Sequence, residues 1–343
     1  MSTLTDAASA GTLATAGQEL TYREAINAAL DDAMAADQTV VLLGEDVGAD
    51  GGIFKTNLGL VEKYGRERVR NTPICENGFL NVALGMSLVG LRPVVEIMFA
   101  DFLPTAGDAI VNQLPKYRYM SGGQTAVPVT VRSISGGGAR FGTQHSATGE
   151  SWFMQLPGLR VVTASSPATA YSLLRAAIAD PNPVLFYEHK AMYGRKGPVR
   201  RGEIAEVGKA EVVRQGTDVT IVATLMMVDR SLAAADRLAD HGIGAEVVDL
   251  RWLRPLDLEA VRASVDKTGR LLIVEEQVHA AGWGATVVSQ LTIDGVRWAN
   301  PPRRVSLPDD LPIPYSPPLE DEVLPSADRI LATAVELMGS AAH

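Results

Sequence analysis

The chain has 343 residues, 46% of them hydrophobic and 21% charged, with a formal net charge of −9. At roughly 100–200 residues per domain this length implies two domains. The acidic balance argues against nucleic acid or an anionic membrane as partner, since both call for a basic face. The one cysteine, Cys75, allows no intrachain disulfide and no thiolate metal cluster, which suits a reducing cytoplasm. It stands between Ile74 and Glu76 with no adjacent histidine, so a small semi-buried side chain is the expectation, ahead of a nucleophile. No apolar run approaches the ~18 residues of a membrane span.

Residues 1–18 are rich in Ala, Thr, Ser and Gly, lack the basic start and apolar core of a signal peptide, and read as a disordered tail. Thr21-Tyr22-Arg23-Glu24 is a capping box, and Ile26, Leu30 and Met34 follow at helical spacing. The run 39–44 reads as a buried parallel strand, with similar runs at 93–99, 127–132, 159–164 and 184–188. Between them lie helical patterns. Residues 76–89 are small and apolar, with Gly78 and Gly85 permitting close packing. Ser166-Pro167 opens another helix, a polar cap followed by proline at the first helical position. Alternating strands and helices imply a parallel sheet covered on both faces. Residues 193–209, with Gly194, Gly197, Pro198 and Gly202 among basic residues and no apolar period, read as an interdomain linker. The pattern then restarts: strands at 219–223, 245–250, 271–275 and 304–307, and helices at 228–240, 258–265, 282–291 and 326–337. The expectation is an α/β domain over 19–193, a linker over 194–209 and a second α/β domain over 210–343.

The chemistry is first constrained by absence: there is no G-x-G-x-x-G after a strand, no Walker A, no H-E-x-x-H and no G-x-S-x-G. Gly136-Gly137-Gly138 has no helix signal behind it and reads as an active-site loop or a plain turn. Glu76 enters an apolar, glycine-containing helix. Two readings stand level: a desolvated carboxyl suited to proton sharing, or a helix N-terminal acid held by the dipole. His145, in a loop after a strand, is either a titrating catalytic group or an ordinary surface or core histidine.

Longer segments point to a family. Gly44-Glu45-Asp46-Val47-Gly48, Gly51-Gly52-Ile53-Phe54, the stretch from Arg68 to Glu76, Gly90-Leu91-Arg92-Pro93, Tyr119-Met120-Ser121-Gly122-Gly123, Gln144-His145-Ser146, Asp249-Leu250-Arg251 and Pro314-Tyr315 with Leu319-Glu320 recur in order. Together they resemble the beta subunit of thiamine-diphosphate-dependent 2-oxo acid dehydrogenases (pyruvate, branched-chain and acetoin), over residues 20 to 340. The resemblance implies a transketolase-like pyrimidine-binding domain followed by a transketolase C-terminal domain. It implies two alpha and two beta chains with thiamine diphosphate between them. Magnesium would be held by a Gly-Asp-Gly motif of the alpha chain, which this sequence lacks. Carried over, Glu76 would hydrogen-bond the aminopyrimidine ring nitrogen and promote its imino tautomer. Ile74, Met98 and Phe102 would line the pyrimidine pocket, with Glu45 near the same site. His145 would face the substrate or the incoming lipoyl group. Val129, Ala177, Ile178, Asp180 and Asn182 match a potassium site built largely from backbone carbonyls.

The implied activity is oxidative decarboxylation of a small 2-oxo acid, pyruvate first, with acyl transfer to a lipoyl-bearing dihydrolipoamide acyltransferase. Acetoin cleavage, branched-chain substrates and a non-catalytic paralogue are the alternatives. Departures from the family pattern stand at Asn81, Pro104, Thr105, Ala109, Pro115 and Ala147.

Overall fold

The computed structural model describes residues 17–339. The expected tail therefore lies outside the described residues up to residue 16, and its last residue, Gln18, already belongs to a strand. The N-terminal half runs β1 (Gln18–Thr21), α1 (Tyr22–Ala36), β2 (Val40–Gly44), α2 (Leu60–Tyr64), β3 (Val69–Asn71), α3 (Glu76–Leu88) and β4 (Arg92–Ile97). It continues with α4 (Leu114–Met120), β5 (Thr130–Ser135), α5 (Glu150–Met154), β6 (Arg160–Thr163), α6 (Pro167–Ala179), β7 (Val184–His189) and β8 (Lys196–Val199). The C-terminal half adds β9 (Glu211–Arg214), β10 (Val219–Ala223), α7 (Met226–Asp240), β11 (Ala245–Asp249), β12 (Trp252–Arg254) and α8 (Leu258–Thr268). It closes with β13 (Leu271–Val278), α9 (Trp283–Ile293), β14 (Arg303–Leu307), α10 (Pro317–Val323) and α11 (Ala327–Gly339).

Two helix starts form as their sequences dictate. The Thr21 hydroxyl accepts from the Glu24 amide at 3.1 Å while the Glu24 carboxylate takes the Thr21 amide at 2.7 Å. Ser166 and Thr169 make the same reciprocal pair ahead of α6, whose Pro167 has no amide to leave unpaired.

The larger sheet has the order β12-β6-β7-β5-β4-β2-β3, parallel throughout except for β12 at the edge. The smaller has the order β14-β13-β10-β11-β9, again parallel except for its edge strand β9. Strand periodicity builds the layers. In β2, Val40 and Leu42 enter the core shared with α1 and α6, whereas Val41 and Leu43 enter the core shared with α3. Both halves are thus α/β layers with helices on both faces.

Three features depart from the sequence expectations. The stretch read as a linker contains β8, which pairs antiparallel with β1 and ties the chain start across it. The strand expected at 127–132 is displaced to β5, because Val127 and Val129 are anchored instead by contacts to Pro181 and Val184. The short strand β12, too brief to show a period, leaves the C-terminal half and joins the N-terminal sheet beside β6. The Thr163 amide donating to the Arg251 carbonyl at 2.7 Å extends that junction. Among the described residues, no helix is long and apolar enough to cross a membrane.

Candidate active site

Four adjacent parallel strands, β3, β2, β4 and β5, deliver the candidate residues at their C-terminal ends. Glu45 follows β2, Met98 follows β4, Glu76 lies one short turn beyond β3, and His145 lies in the loop leaving β5. The chain leaves β2 toward β3 on one side and leaves β4 toward β5 on the other. The crevice between β2 and β4 is therefore the topological switch point, where open α/β sheets hold ligands.

Glu45 is only 8% exposed, and its Oε1 has no hydrogen-bond partner among the described residues. Burial raises its pKa above the usual carboxylate range, and the nearby Glu76 charge adds to the effect. The two carboxylates therefore sense one another across the crevice. Glu76 is the first residue of α3, half-exposed, with the helix dipole favouring its negative charge. This chain alone does not bury it, so the expected desolvation would have to come from a partner surface. Ile74, expected in the pocket, is 83% exposed and does not line the cleft that holds Phe102 and His145. Cys75, expected to be semi-buried, is exposed, because it is the cap of α3 at the open mouth of a cleft. That cleft, about 340 Å³, is lined by Leu43, Pro73, Cys75, Phe79, Val82 and Met86. A Cβ at Gly78 would sit 2.7 Å from the Cys75 sulfur, so glycine there does serve close packing, while Gly85 faces open space.

His145 and Phe102 do come together. The imidazole packs edge-on against Phe99 at 4.8 Å and Phe102 at 5.6 Å, and both His145 and Phe102 line a cleft of about 490 Å³ with Asp101, Thr143 and Trp152. Phe54 and Phe141 extend this aromatic wall, at 5.6 and 5.9 Å from Phe99. Its foundation is a buried ion network that sequence reasoning did not pick out. Arg132 pairs with Glu188 at 2.7 Å and Glu96 at 2.9 Å, and also donates to Asn57 and Thr56. Gly52 of the Gly51-Gly52 motif packs against this network. Gly52 has φ +79°, and a Cβ there would lie 2.8 Å from the Asn57 amide nitrogen and 2.9 Å from Glu96 Oε1.

A second unforeseen cluster lies behind the His145 loop. His189 bonds Glu276 at 3.0 Å, the Lys190 ammonium donates to the Gly136 carbonyl, and Glu150 accepts from Gln277. Burial pushes Lys190 down to about 8 and Glu150 up to about 7. The available signal was Glu188-His189-Lys190, three ionisable residues running straight off a buried strand.

The proposed cation ligands gather at the end of α6, but their oxygens are engaged. The Ile178 carbonyl accepts from Arg92 at 3.0 Å, the Val129 carbonyl from the Val184 amide at 2.9 Å, and the Ala177 carbonyl from the Asp180 amide at 3.3 Å. Asp180 pairs with Arg160 at 2.6 Å, and Asn182 Oδ1 accepts from Arg118 at 2.6 Å. Among the described residues, no group of three His, Cys, Asp or Glu side chains converges to hold a metal ion.

The departures at Ala109 and Pro115 are accommodated in the core, where both are buried. A Cβ at Gly158 would run into the Pro115 carbonyl. Asn81 faces out of α3 and donates to the Asn77 carbonyl at 2.8 Å, so a polar residue there meets solvent in this chain.

Comparison with known proteins completes the assignment. The transketolase pyrimidine-binding domain matches residues 18–196 and the transketolase C-terminal domain residues 208–330. The beta-2 subunit of rice mitochondrial pyruvate dehydrogenase E1 is 42% identical, over 93% of this chain and 86% of that protein. The chain belongs to the beta subunits of the 2-oxo acid dehydrogenase family. The beta subunit of Bacillus subtilis acetoin:2,6-dichlorophenolindophenol oxidoreductase is 40% identical, over 94% of this chain and 98% of that protein. The beta subunit of 2-oxoisovalerate dehydrogenase from the same organism is 38% identical, covering 93% and 98%. A split-gene transketolase, solved as an inactive beta4 tetramer, superposes with a TM-score of 0.78 at 25% identity, over 94% of this chain and 99% of that one. Family members are thiamine-diphosphate-dependent oxidoreductases that work with an alpha subunit.

Proposed function

We propose that this beta subunit, completed by an alpha subunit, decarboxylates pyruvate oxidatively and passes the acetyl group to a lipoyl domain of a dihydrolipoamide acyltransferase. The observation carrying this reading is that the Glu45–Glu76 pair, Met98 and the Phe102–His145 pair all follow the C-terminal ends of four neighbouring strands. The residues fit thiamine diphosphate. The orphaned, buried Glu45 Oε1 awaits a donor, Glu76 offers a carboxylate to a ring nitrogen, and Phe102 and Met98 offer apolar surface to a flat heterocycle. When bound, the cofactor supplies the electron sink for decarboxylation. Glu76 then holds a proton at a pyrimidine nitrogen, and Glu45, with its raised pKa, sets the charge beside it. His145 moves a proton at the substrate or lipoyl end.

Support for an alpha partner comes from α3. Val82, nearly two turns on from Glu76, is 59% exposed, and with Ile74, 83% exposed, it leaves apolar surface open on either side of the uncovered Glu76. Two alpha and two beta chains, with magnesium on the alpha side, is the assembly we infer. A potassium ion at Val129, Ala177, Ile178, Asp180 and Asn182 would have to share carbonyls that already accept hydrogen bonds. The single, free Cys75 suits a cytoplasmic location.

Pyruvate is preferred on the 42% identity to the rice subunit, and acetoin is the second reading, on the 40% identity to the Bacillus one and the Tyr119–Gln124 segment. Purified with its alpha subunit, thiamine diphosphate and magnesium, the chain is expected to turn over pyruvate with an artificial electron acceptor, and a Glu76→Gln variant to lose activity at least ~100-fold. Turnover of acetoin or a branched-chain acid instead would replace the substrate. No turnover from a well-formed complex would favour a non-catalytic paralogue.

A further inference from the structure

The loop from Gly136 to Gly149 carries His145, yet much of what holds it comes from the other half of the chain. The Gly137 amide donates to Glu276 Oε1 at 2.5 Å and the Gly138 amide to Glu320 Oε1 at 2.8 Å. Arg140 reaches Glu320 Oε2 at 2.5 Å and Asp321 at 2.7 Å, and the Thr143 hydroxyl donates to the Ile313 carbonyl at 3.2 Å. Glu320 is fully buried and Glu276 is 7% exposed. Two carboxylates have thus been taken out of water to accept backbone amides of one loop, an arrangement that is costly unless those bonds are made.

The backbone of the loop is also constrained. Arg140 has φ +62°, a left-handed conformation that disfavours a residue with a Cβ and persists where surrounding contacts over-determine it. Gly136 has φ +85°, and a Cβ there would lie 2.0 Å from His189 Nε2, so the loop start is pressed onto the His189–Glu276 pair. On the loop's other side, Asp101 accepts from the Ala147 amide at 3.2 Å, which brackets His145 between the two halves.

We propose that Glu320 and Glu276 are positioning residues: the C-terminal half latches the Gly136–Gly149 loop and thereby sets the imidazole of His145 against the Phe99–Phe102 wall. This deepens the function proposed above and rests, for its effect on turnover, on His145 acting at the substrate. The latch accounts for a feature that packing alone does not require, namely the burial of Glu320 below a loop whose Arg140 remains 35% exposed. The groups facing the two carboxylates are His189 and Lys190 from the end of β7, Arg230 from α7, Glu150 from α5, and Arg140 and Asp321.

The test uses the complex with its alpha subunit and amide hydrogen exchange read by peptide. In Glu320→Gln, and in Arg140→Ala, which breaks the same latch from the exposed side, peptides of residues 136–149 are expected to exchange about 10-fold faster or more, the scale of one lost charge-assisted bond. Peptides of β5, β7 and β13 should keep their protection. Turnover should fall by a similar factor with KM for the 2-oxo acid within twofold, and Glu320→Ala should exceed Glu320→Gln, which retains an acceptor for Gly138. Unchanged loop exchange in both Glu320→Gln and Arg140→Ala overturns the latch, as does acceleration spread evenly over the chain. A His145→Ala variant separates the two readings. If it keeps full turnover, the role of His145 falls, while the exchange data still decide the latch.

Discussion

Glu150 offers a quantitative test of the charge buried between the two halves. It is 2% exposed at the start of α5, accepts from the Gln277 side-chain amide, and feels Glu276 nearby. Burial is the main reason its pKa is pushed from 4.5 to about 7. A raised folded-state pKa means the folded protein binds a proton more tightly than the unfolded chain. Its stabilising contribution is complete below about pH 4.5 and is lost as pH climbs through about 7. The interval from 4.5 to about 7, at about 1.4 kcal/mol per pH unit, amounts to about 3 kcal/mol. Glutamine matches the protonated acid in shape and cannot ionise. Glu150→Gln should therefore differ from the parent by less than about 1 kcal/mol at pH 5 and be more stable by about 3 kcal/mol at pH 8.5. Lys190 titrates near the upper end of that range and is itself raised by the Glu150 charge, so the growth of the gap between pH 5 and pH 7 carries the test. Urea unfolding of both proteins at half-unit intervals from pH 5 to 8.5 measures the gap. A gap that stays constant with pH would refute the reasoning, because it would mean Glu150 titrates alike in the folded and unfolded chain.

Further outcomes follow from other sites. Arg132→Met leaves Glu96 and Glu188 buried without their partner, and should cost about 3–5 kcal/mol in a denaturant titration. Gly136→Ala meets both an unfavourable φ and the His189 ring; a loss of about 3 kcal/mol or more is expected, seen as a drop in thermal midpoint. Val82→Asp, on the exposed face of α3, should leave the unfolding midpoint of the isolated chain within about 0.5 kcal/mol while weakening association with the alpha subunit at least ~10-fold in light scattering or sedimentation.

How much of this was legible in the sequence varies by residue. Local signals were enough wherever the physics is local. Thr21 with Glu24, and Ser166 with Pro167 and Thr169, determine where α1 and α6 begin, because their hydrogen bonds close within one turn. The apolar runs of β2, β7 and β10 announce strands buried on both faces, and their alternation with helices announces the parallel sheet. Ordered motifs from Gly44 to Glu320 were enough to indicate the family.

Tertiary structure decided what depends on distant partners. No local pattern says that β12 crosses to the other sheet, that β8 pairs with β1 inside an apparent linker, or that Cys75 and Ile74 stay exposed beside α3. Nor could the sequence show that Glu320, 182 residues after Gly138, lies under its amide. A carboxylate in a polar, proline-rich stretch looks solvated until the fold removes its water. The physical reason is the same in each case: periodicity and capping act over a few residues, whereas burial, charge pairing and strand partnership are properties of the assembled chain.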